Sequence, residues 1–174
     1  MIFETTRLIA RRFGPPDLEP FVAMRDDPEV SRYQSWDRFT HEDGQTFIAE
    51  LVRMEPGQPG WFQFALEEKS TGLFIGDCGL FTDPADPRLA RIGYSIARTF
   101  WRRGFATEAV SALTAFAFDQ FVLHRIAASV DPRNAASCRV LEKAGFVKEA
   151  HLRQSEWFKG QWADDAIYAK LRRI

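Results

Sequence analysis

A short basic turn that leads into a helix is the feature that most limits what this chain can fold into. Residues 100–109 have the sequence Phe-Trp-Arg-Arg-Gly-Phe-Ala-Thr-Glu-Ala, with Gly104 at the centre of the turn. Apolar residues alternate with small or polar ones over residues 92–96, which predicts a strand, and apolar residues downstream recur at helical spacing. The first amides of a helix lack partners within the helix, and the helix dipole adds positive charge there. The segment therefore predicts an anion site suited to a phosphate-bearing ligand.

Length and charge limit the classes of protein to consider. The chain has 174 residues, 45% of them hydrophobic, which suits one domain over residues 1–174 with a substantial core. Its 23 basic and 24 acidic residues give a net charge of -1. That balance argues against a protein that binds nucleic acid mainly through a positive field. The two cysteines and three histidines stand in no metal-like spacing, so we expect no metal site.

The start of the chain and its longest apolar segment bear on location. Residues 1–7 lack the basic-then-apolar pattern of a secretory signal. The longest apolar segment, near residues 109–118, is interrupted by Ser111 and Thr114 and is too short to span a bilayer. We therefore expect a soluble, cytoplasmic protein that binds no membrane and no nucleic acid, and we leave a homodimer open.

The order of the predicted elements indicates a mixed α/β domain built around one sheet. Strands are predicted at residues 6–13, 61–66, 73–81, 90–96 and 125–130, and two more in the tail on either side of Lys159-Gly160. Helices are predicted after Asp17, over residues 41–54, after the basic turn, and from Asn134 to a stop at Gly145.

Several motifs stand in a definite order along the chain. Ile92-Gly93-Tyr94 is followed by the basic turn, and residues 134–146 have the sequence Asn-Ala-Ala-Ser-Cys-Arg-Val-Leu-Glu-Lys-Ala-Gly-Phe. Ile92-Gly93-Tyr94 and the basic turn together resemble the acetyl-CoA-binding motif of the GNAT N-acetyltransferases. Residues 134–146 resemble the Asn-x-x-Ser to Glu-Lys-x-Gly-Phe segment of the same family. Residues 6–8, 75–80 and 162–168 also match, and the whole set resembles the branch that acetylates ribosomal-protein N-termini. The resemblance covers essentially the whole chain and depends on the order and spacing of motifs that are individually weak.

The resemblance implies a GNAT fold: a single mixed, mostly antiparallel sheet with one parallel strand pair that splays apart, flanked by helices. The pantetheine arm of acetyl-CoA would enter between the strands at residues 91–96 and 125–130. Its pyrophosphate would bind the backbone amides of residues 102–107, where Gly104 allows close approach. The implied acetyl-CoA-binding residues are Tyr94, Ser95, Ile96, Arg102, Arg103, Gly104, Phe105, Ala106, Thr107, Asn134 and Ser137. Basic residues near the two motifs that are candidates for the CoA phosphates are Arg98, Arg102, Arg103, Arg133, Arg139 and Lys143.

The family reaction is direct attack of an amine on a thioester, which needs a base, an oxyanion donor and a general acid. The resemblance implies that Asn134 binds the pantetheine arm and that Ser137 lies near the sulfur as the acid. The alternatives are that Asn134 only caps a helix and that Ser137 is an ordinary first-turn residue. Arg91 stands where relatives often carry a glutamate base, which leaves Asp77, Tyr94 or a water chain for that role. Asp77 is equally interpreted as a solvated strand residue.

The acceptor is the least constrained part of the prediction. Tyr33, Trp36 and Trp157 belong to segments that shape the acceptor pocket in this fold, and such aromatic residues either line an amine pocket or fill the core. We expect an acetyl-CoA-dependent N-acetyltransferase acting on a primary amine, first of all a ribosomal-type protein N-terminus. The alternatives are a small amine, such as a polyamine, an amino acid or an aminoglycoside, and a non-catalytic acyl-CoA-binding module. A dinucleotide oxidoreductase is a distant third, since no glycine motif for that chemistry is present.

Overall fold

Eight strands form one continuous sheet in the computed structural model, which describes residues 1–172. The strands are β1 (Phe3–Glu4), β2 (Leu8–Arg11), β3 (Gly60–Glu68), β4 (Leu73–Thr82), β5 (Leu89–Ile96), β6 (Arg125–Val130), β7 (Val147–Phe158) and β8 (Gln161–Leu171). Their order in the sheet is β1-β2-β3-β4-β5-β6-β8-β7. All neighbours are antiparallel except β5 and β6, which are parallel. The predicted mixed, mostly antiparallel sheet flanked by helices is therefore confirmed.

The helices begin and end largely where capping residues stand. They are α1 (Leu18–Arg25), α2 (Pro28–Ser31), α3 (His41–Leu51), α4 (Phe105–Gln120) and α5 (Ala135–Lys143). The Thr40 hydroxyl accepts from the Asp43 amide at the start of α3, and the Asn134 carboxamide does the same for Ser137 in α5. Gly145 has a φ of +84° just after α5, which suits its predicted role as a helix stop. Asp17 lies before α1 as predicted, but its carboxylate binds Arg11 instead of capping the helix.

Helix α4 packs on the centre of the sheet and forms the main core. Its residues Val110, Leu113 and Ala117 are fully buried, as are Phe64 and Ile126 on the strands. A smaller apolar cluster joins α1 and α3 to strands β3 and β4 and includes Phe13, Phe21, Met24, Val30 and Leu51. No helix within residues 1–172 has both the length and the apolar character needed to cross a membrane.

The parallel pair of strands separates part of the way along its length. Leu89, Ala90 and Arg91 of β5 pair with residues 125–127 of β6, and within the described residues the pairing stops there. Beyond that point β5 stays paired with β4, and β6 stays paired with β8 through Val130. A wedge therefore opens between residues 92–96 and the end of β6, and the N-termini of α4 and α5 lie beside it. This is the splayed pair that the family resemblance implies.

Candidate active site

The basic turn forms the N-terminus of α4. Gly104 occupies the cap position with a φ of +80°, in the left-handed region that glycine adopts without strain. The amides of Phe105, Ala106 and Thr107 donate to no acceptor within residues 1–172. All three residues line a large cavity beside the turn. The turn therefore presents three free backbone donors together with the positive end of the helix dipole.

Glu108 and Arg7 fix the turn from behind. The Arg7 Nε donates to Glu108 Oε2 at 2.7 Å, and Arg7 Nη1 donates to the carbonyl oxygen of Arg103 at 3.0 Å. Burial raises the pKa of Glu108, but hydrogen bonds from Thr5 and Arg7 more than offset this and leave that pKa below its usual value. The carboxylate therefore stays ionised and ties the N-terminal segment to α4. Its role in this structure is to position the turn.

Two other side chains of the turn are also engaged. The Trp101 indole donates to the Ile96 carbonyl at 2.6 Å and joins the turn to the end of β5. The Arg103 guanidinium pairs with Glu68 at 2.8 Å and lies over the Phe105 ring, so it faces away from the cavity. Arg103, one of the residues predicted to bind acetyl-CoA, therefore contributes its backbone to the turn, while its guanidinium is paired with Glu68.

The large cavity, about 600 Å³ in volume, runs from the turn to the β5 side of the wedge, where Tyr94, Ser95 and Ile96 line it. We call it the basic cleft, because its lining carries one acidic side chain, Glu29, and the basic side chains of Arg32, Arg102, Arg133, Arg139 and Lys143. The lining also contains ten of the eleven residues predicted to bind acetyl-CoA, all except Arg103. Arg98, a candidate for the CoA phosphates, lies outside it. The cleft therefore combines net positive charge with free helix amides.

Tyr94 and Ser137 meet at the inner end of the basic cleft. The Tyr94 Oη lies 2.7 Å from Ser137 Oγ, and it also donates to the Ser137 carbonyl at 3.2 Å. The Asn134 Oδ1 accepts from the Ser137 amide at 3.2 Å, which fixes the start of α5. Burial raises the pKa of Tyr94 to about 12, so the phenol carries its proton at neutral pH. Of the roles considered for Tyr94, this favours a hydrogen-bond donor over a base.

A second cavity, of about 140 Å³, lies on the other side of the Tyr94–Ser137 pair. It shares Tyr33, Gln34, Tyr94, Asn134 and Ser137 with the basic cleft. We call it the acidic cavity, because four carboxylates line it and no lysine, arginine or histidine of the described chain does: Asp131, Glu156, Asp164 and Asp165. Two cavities of opposite charge thus meet at one pair of hydroxyl groups.

Asp165 is the most enclosed of these carboxylates. It is only 6% exposed, and the Ser129 hydroxyl donates to its Oδ1 at 2.6 Å. Within residues 1–172 its Oδ2 accepts no hydrogen bond, and no basic side chain forms an ion pair with it. Asp165 therefore brings to the cavity a buried carboxyl group with one neutral hydrogen-bond partner.

The remaining carboxylates differ in how far they are compensated. Arg133 Nη2 lies 2.6 Å from Asp131. Burial raises the pKa of Asp131, but the hydrogen bonds from the Arg133 side chain and backbone more than offset this and leave that pKa below its usual value. The His151 ring lies 2.7 Å from Asp164 and lowers the pKa of that carboxyl. Glu156 is exposed and has no ion pair within the described chain. Within residues 1–172, no set of three or more His, Cys, Asp or Glu side chains is arranged to hold a metal ion.

The structure does not bring Asp77 to either cavity. Its carboxylate is 1% exposed and pairs with Arg25 Nη2 at 2.8 Å. Rings of Phe21, Trp36, Phe39 and Phe47 surround that guanidinium within 5.3 Å of its carbon. Asp77 is therefore neither a solvated strand residue nor placed to receive a proton from an acceptor, because it is enclosed with its own cation.

The three residues predicted to bind the acceptor lie in different surroundings. Tyr33 lines both cavities. Trp36 instead packs over Arg25, and its indole donates to the Arg25 carbonyl at 2.8 Å. Trp157 is 65% exposed on the last hairpin and packs edge-to-face with Trp162. Only Tyr33 of the three is placed where an acceptor next to the junction would touch it.

Arg91 occupies the usual position of a glutamate base, and its guanidinium lies 4.2 Å from the centre of the Phe81 ring, outside both cavities. The negative charge near the junction comes instead from the four carboxylates of the acidic cavity, which no sequence motif identifies as a group. The adjacent Asp164 and Asp165 in β8 are the only local signal for them.

Residues 7–147 match the model of a protein family described as an acetyltransferase (GNAT) domain. The chain belongs to this GNAT family. The uncharacterized N-acetyltransferase YoaA of Bacillus subtilis strain 168 is 34% identical over 172 residues, which cover 98% of this chain and 97% of that protein. The predicted family and enzyme class, an N-acetyltransferase, are thereby confirmed.

Solved structures agree with this assignment. A GNAT-family acetyltransferase from Bacillus anthracis has a TM-score of 0.86 and 26% identity, and the match covers 97% of this chain and 96% of that one. A ribosomal L7/L12 alpha-N-protein acetyltransferase in complex with coenzyme A has a TM-score of 0.85 at 17% identity, with 98% and 97% coverage. The similarity to ribosomal-protein acetyltransferases thus extends to the fold, and several solved structures of this fold hold CoA or acetyl-CoA.

Proposed function

We propose that this protein transfers the acetyl group of acetyl-CoA to a primary amine, with the donor in the basic cleft and the acceptor in the acidic cavity. The observation that carries the proposal is that two cavities of opposite charge share Tyr94, Asn134 and Ser137. Transfer between two bound molecules requires the thioester and the nucleophile to meet at one point. A polyphosphate donor suits the basic side, and an ammonium group suits the acidic side.

The basic cleft fits the donor along its length. The free amides of residues 105–107 would hold the pyrophosphate, and the edge of β5 at residues 94–96, which β6 does not pair, would bind the amide groups of the extended arm, as another strand would. Because Asn134 Oδ1 is engaged by the Ser137 amide, its Nδ2 group remains as the donor for that arm. Acetyl-CoA supplies the activated thioester, and the chain supplies the orientation.

The hydroxyl pair at the junction suits the departing sulfur. Because the Tyr94 hydroxyl donates to the Ser137 carbonyl, we assign the Ser137 hydroxyl proton to the thiolate in the reaction. In the reaction a C–N bond forms and the C–S bond breaks, so that an ammonium and a thioester give an amide, a thiol and one proton. We propose that this proton leaves through the carboxylates of the acidic cavity, because Asp77 is enclosed with Arg25.

Two kinds of acceptor fit the proposal. A protein N-terminus remains the first, supported by the similarity to ribosomal-protein acetyltransferases. A small amine is the second, and the small volume of the acidic cavity, about 140 Å³, favours it. One domain over residues 1–174, a cytoplasmic location and a homodimer stay predictions.

The test is thiol release from acetyl-CoA with a panel of primary amines, monitored together with product mass. We expect thiol release to depend on the amine and to match the amount of N-acetylated product. The rival function, a non-catalytic acyl-CoA-binding module, predicts the opposite result. Calorimetric binding of CoA without turnover on any amine would establish that rival and end the proposal.

A further inference from the structure

We infer that the acyl group of the donor enters an apolar pocket in the wedge between β5 and β6, and that this pocket admits a propionyl group as well as an acetyl group. The inference rests on the proposed function, because it concerns the donor of the same reaction. We call this part of the acidic cavity the acyl pocket, and four side chains form it: Ile92, Ala128, Val130 and Leu141. We assign to Ile92 and Ala128 the control of the length of the transferred group.

The acidic cavity differs in chemistry between the two faces of the sheet. Successive strand residues direct their side chains to opposite faces, so Ala128 and Val130 share one face and Ser129 lies on the other. The Ser129 hydroxyl binds Asp165, which belongs to that second face. The four residues of the acyl pocket belong to the main core, on the face that α4 and α5 cover. The cavity is therefore apolar toward α5 and acidic toward the opposite face.

Strand pairing closes the bottom of the acyl pocket. Arg91 and Ala127 are the last paired residues of β5 and β6, so Ile92 and Ala128 are the first residues on either side of the opening. Both are nearly fully buried, with exposed fractions of 5% and 3%. A group that enters the wedge therefore reaches a closed end, and on the β6 side of that end the side chain is only a methyl group.

The acyl pocket lies next to the hydroxyl pair at which we place the reacting sulfur. Ser137 and Leu141 are four residues apart in α5 and share one face of that helix, and both line the cavity. Tyr94 and Ile92 are two residues apart in β5 and likewise share a face. An acyl group on a sulfur beside Tyr94 and Ser137 would therefore extend between Ile92 and Leu141, while the amine approaches from the acidic face.

The apolar walls favour a longer acyl group as long as space remains. Burial of a further methylene against such walls is favourable, whereas a pocket that is already filled rejects one by about 10-fold to 200-fold. Because the closed end carries the small Ala128 side chain, we expect room for one methylene beyond acetyl. The bonds that change are the same for both donors: a C–N bond forms, the C–S bond breaks, and an ammonium and a thioester give an amide, a thiol and one proton.

The first experiment compares donors of different chain length. Acetyl-CoA, propionyl-CoA and hexanoyl-CoA are each varied at a saturating concentration of the panel amine that gives the highest turnover with acetyl-CoA. We expect kcat/KM for propionyl-CoA to lie within about tenfold of the acetyl-CoA value, and that for hexanoyl-CoA to be lower by more than about 100-fold. Product mass identifies the group transferred.

Two variants assign the selectivity to residues in opposite directions. Ala128→Val fills the closed end and should lower the propionyl-to-acetyl ratio of kcat/KM by about tenfold, whereas Ile92→Ala widens the pocket and should raise that ratio by about threefold or more. A ratio measured within one variant does not depend on how much of the protein is folded, so a loss of stability does not imitate either result. The matched control is Ala127→Val, a half-buried neighbour on the other face that lines neither cavity and should leave the ratio unchanged.

The failures of the inference and of the proposed function are distinguishable. A propionyl-CoA value more than tenfold below the acetyl-CoA value would overturn the inference and leave the acetyltransferase proposal intact. Ratios that stay unchanged in both variants would also overturn it, and efficient use of hexanoyl-CoA would contradict a pocket closed at Arg91 and Ala127. Absence of turnover with every acyl-CoA, with CoA still bound, would instead remove the proposed function on which the inference rests.

Discussion

The basic cleft and the acidic cavity meet at the same two hydroxyl groups but are built in different ways. Besides its basic side chains, the basic cleft presents backbone groups: a left-handed glycine, three free amides at the start of α4 and the open edge of β5. The acidic cavity depends on side chains, four carboxylates from β6, β7 and β8 and their neighbouring loops. Backbone donors depend little on the identity of the side chains, whereas a site made of side chains changes with each substitution. Under the proposed function, this difference means that donor and acceptor specificity are encoded by separate parts of the chain.

A negative charge placed in the turn should give the largest effect, and that effect should be confined to the basic cleft. We expect Gly104→Asp to weaken CoA binding roughly 100-fold, because a residue with a Cβ is strained at a φ of +80° and the carboxylate repels the pyrophosphate. A Cβ there would meet only Arg7 Nη2, 3.5 Å away, so a steric clash does not explain the loss. Calorimetry with CoA measures the affinity.

The chain offers a matched control for this change. Gly72 has a φ of +70° in an exposed turn, and a Cβ added there would meet nothing within 4 Å. Gly72→Asp therefore adds the same charge and similar backbone strain elsewhere in the molecule. CoA affinity in that variant should equal the wild-type value. An equal loss in both variants would contradict the placement of the pyrophosphate at Gly104.

Removing a hydroxyl at the junction should lower turnover and leave both binding sites intact. We expect Ser137→Ala to reduce kcat by about tenfold to 100-fold, since proton donation to a leaving group contributes at this level, with CoA affinity within about twofold. The Tyr94 hydroxyl remains in this variant and supplies part of the proton donation. Single-turnover kinetics isolate the chemical step, and Ser111→Ala in α4 is the control. An unaltered single-turnover rate would remove Ser137 from the mechanism.

A lysine outside both cavities should affect the acceptor alone. Lys159 Nζ donates to the carbonyls of Ser31 and Trp36, at 2.6 and 2.9 Å, and pairs with Asp37. It thereby holds the last hairpin against the segment that carries Tyr33. Since both segments line the acidic cavity, Lys159→Met should raise the acceptor KM by about fivefold, with little change in kcat or CoA affinity.

Initial rates with each substrate varied in turn separate the two Michaelis constants. Lys148→Met, an exposed lysine of β7 without an ion pair within residues 1–172, removes the same charge from the same hairpin and should change neither constant. A rise in the KM of acetyl-CoA in the Lys159 variant would show that the hairpin serves the basic cleft instead.

The two cavities also differ in how far the sequence predicts them. The strand at residues 125–130, the helix start at Gly104 and the cap at Asn134 have local signals, and each occurs at the predicted place. Strand β1 and helix α2 were not predicted, because two and four residues are too few for a periodic pattern. The basic cleft follows from such local features, so its lining is close to the predicted set.

The acidic cavity depends on strand register, which no local pattern shows. Between the pairs Leu152–Asp165 and Glu156–Ala163, β7 has three intervening residues and β8 has one. This bulge, in which Gln154 has a φ of +46° and donates its amide to Asp164, determines which residue of β8 lies opposite Glu156. The pairing of Asp77 with Arg25 is equally hidden from local patterns, since the two residues stand 52 positions apart in the sequence. Side-chain sites assembled across strands require the structure.

The smallest expected effect concerns the phenol that separates the two cavities. Burial raises the pKa of Tyr94 to about 12, above the value of about 10 for an unfolded tyrosine. The folded state therefore favours the neutral phenol, a contribution to stability that is complete below pH 10 and is lost as the pH rises from 10 to 12. Between pH 9 and pH 11 the thermal midpoint of the wild type should fall by about 2–4 °C more than that of Tyr94→Phe, for a difference of about 1 kcal/mol. Burial also raises the pKa of Tyr168, which is present in both proteins and adds the same slope to each. Parallel alkaline profiles would mean that water reaches the junction freely, and the two cavities would then be one continuous, solvated groove.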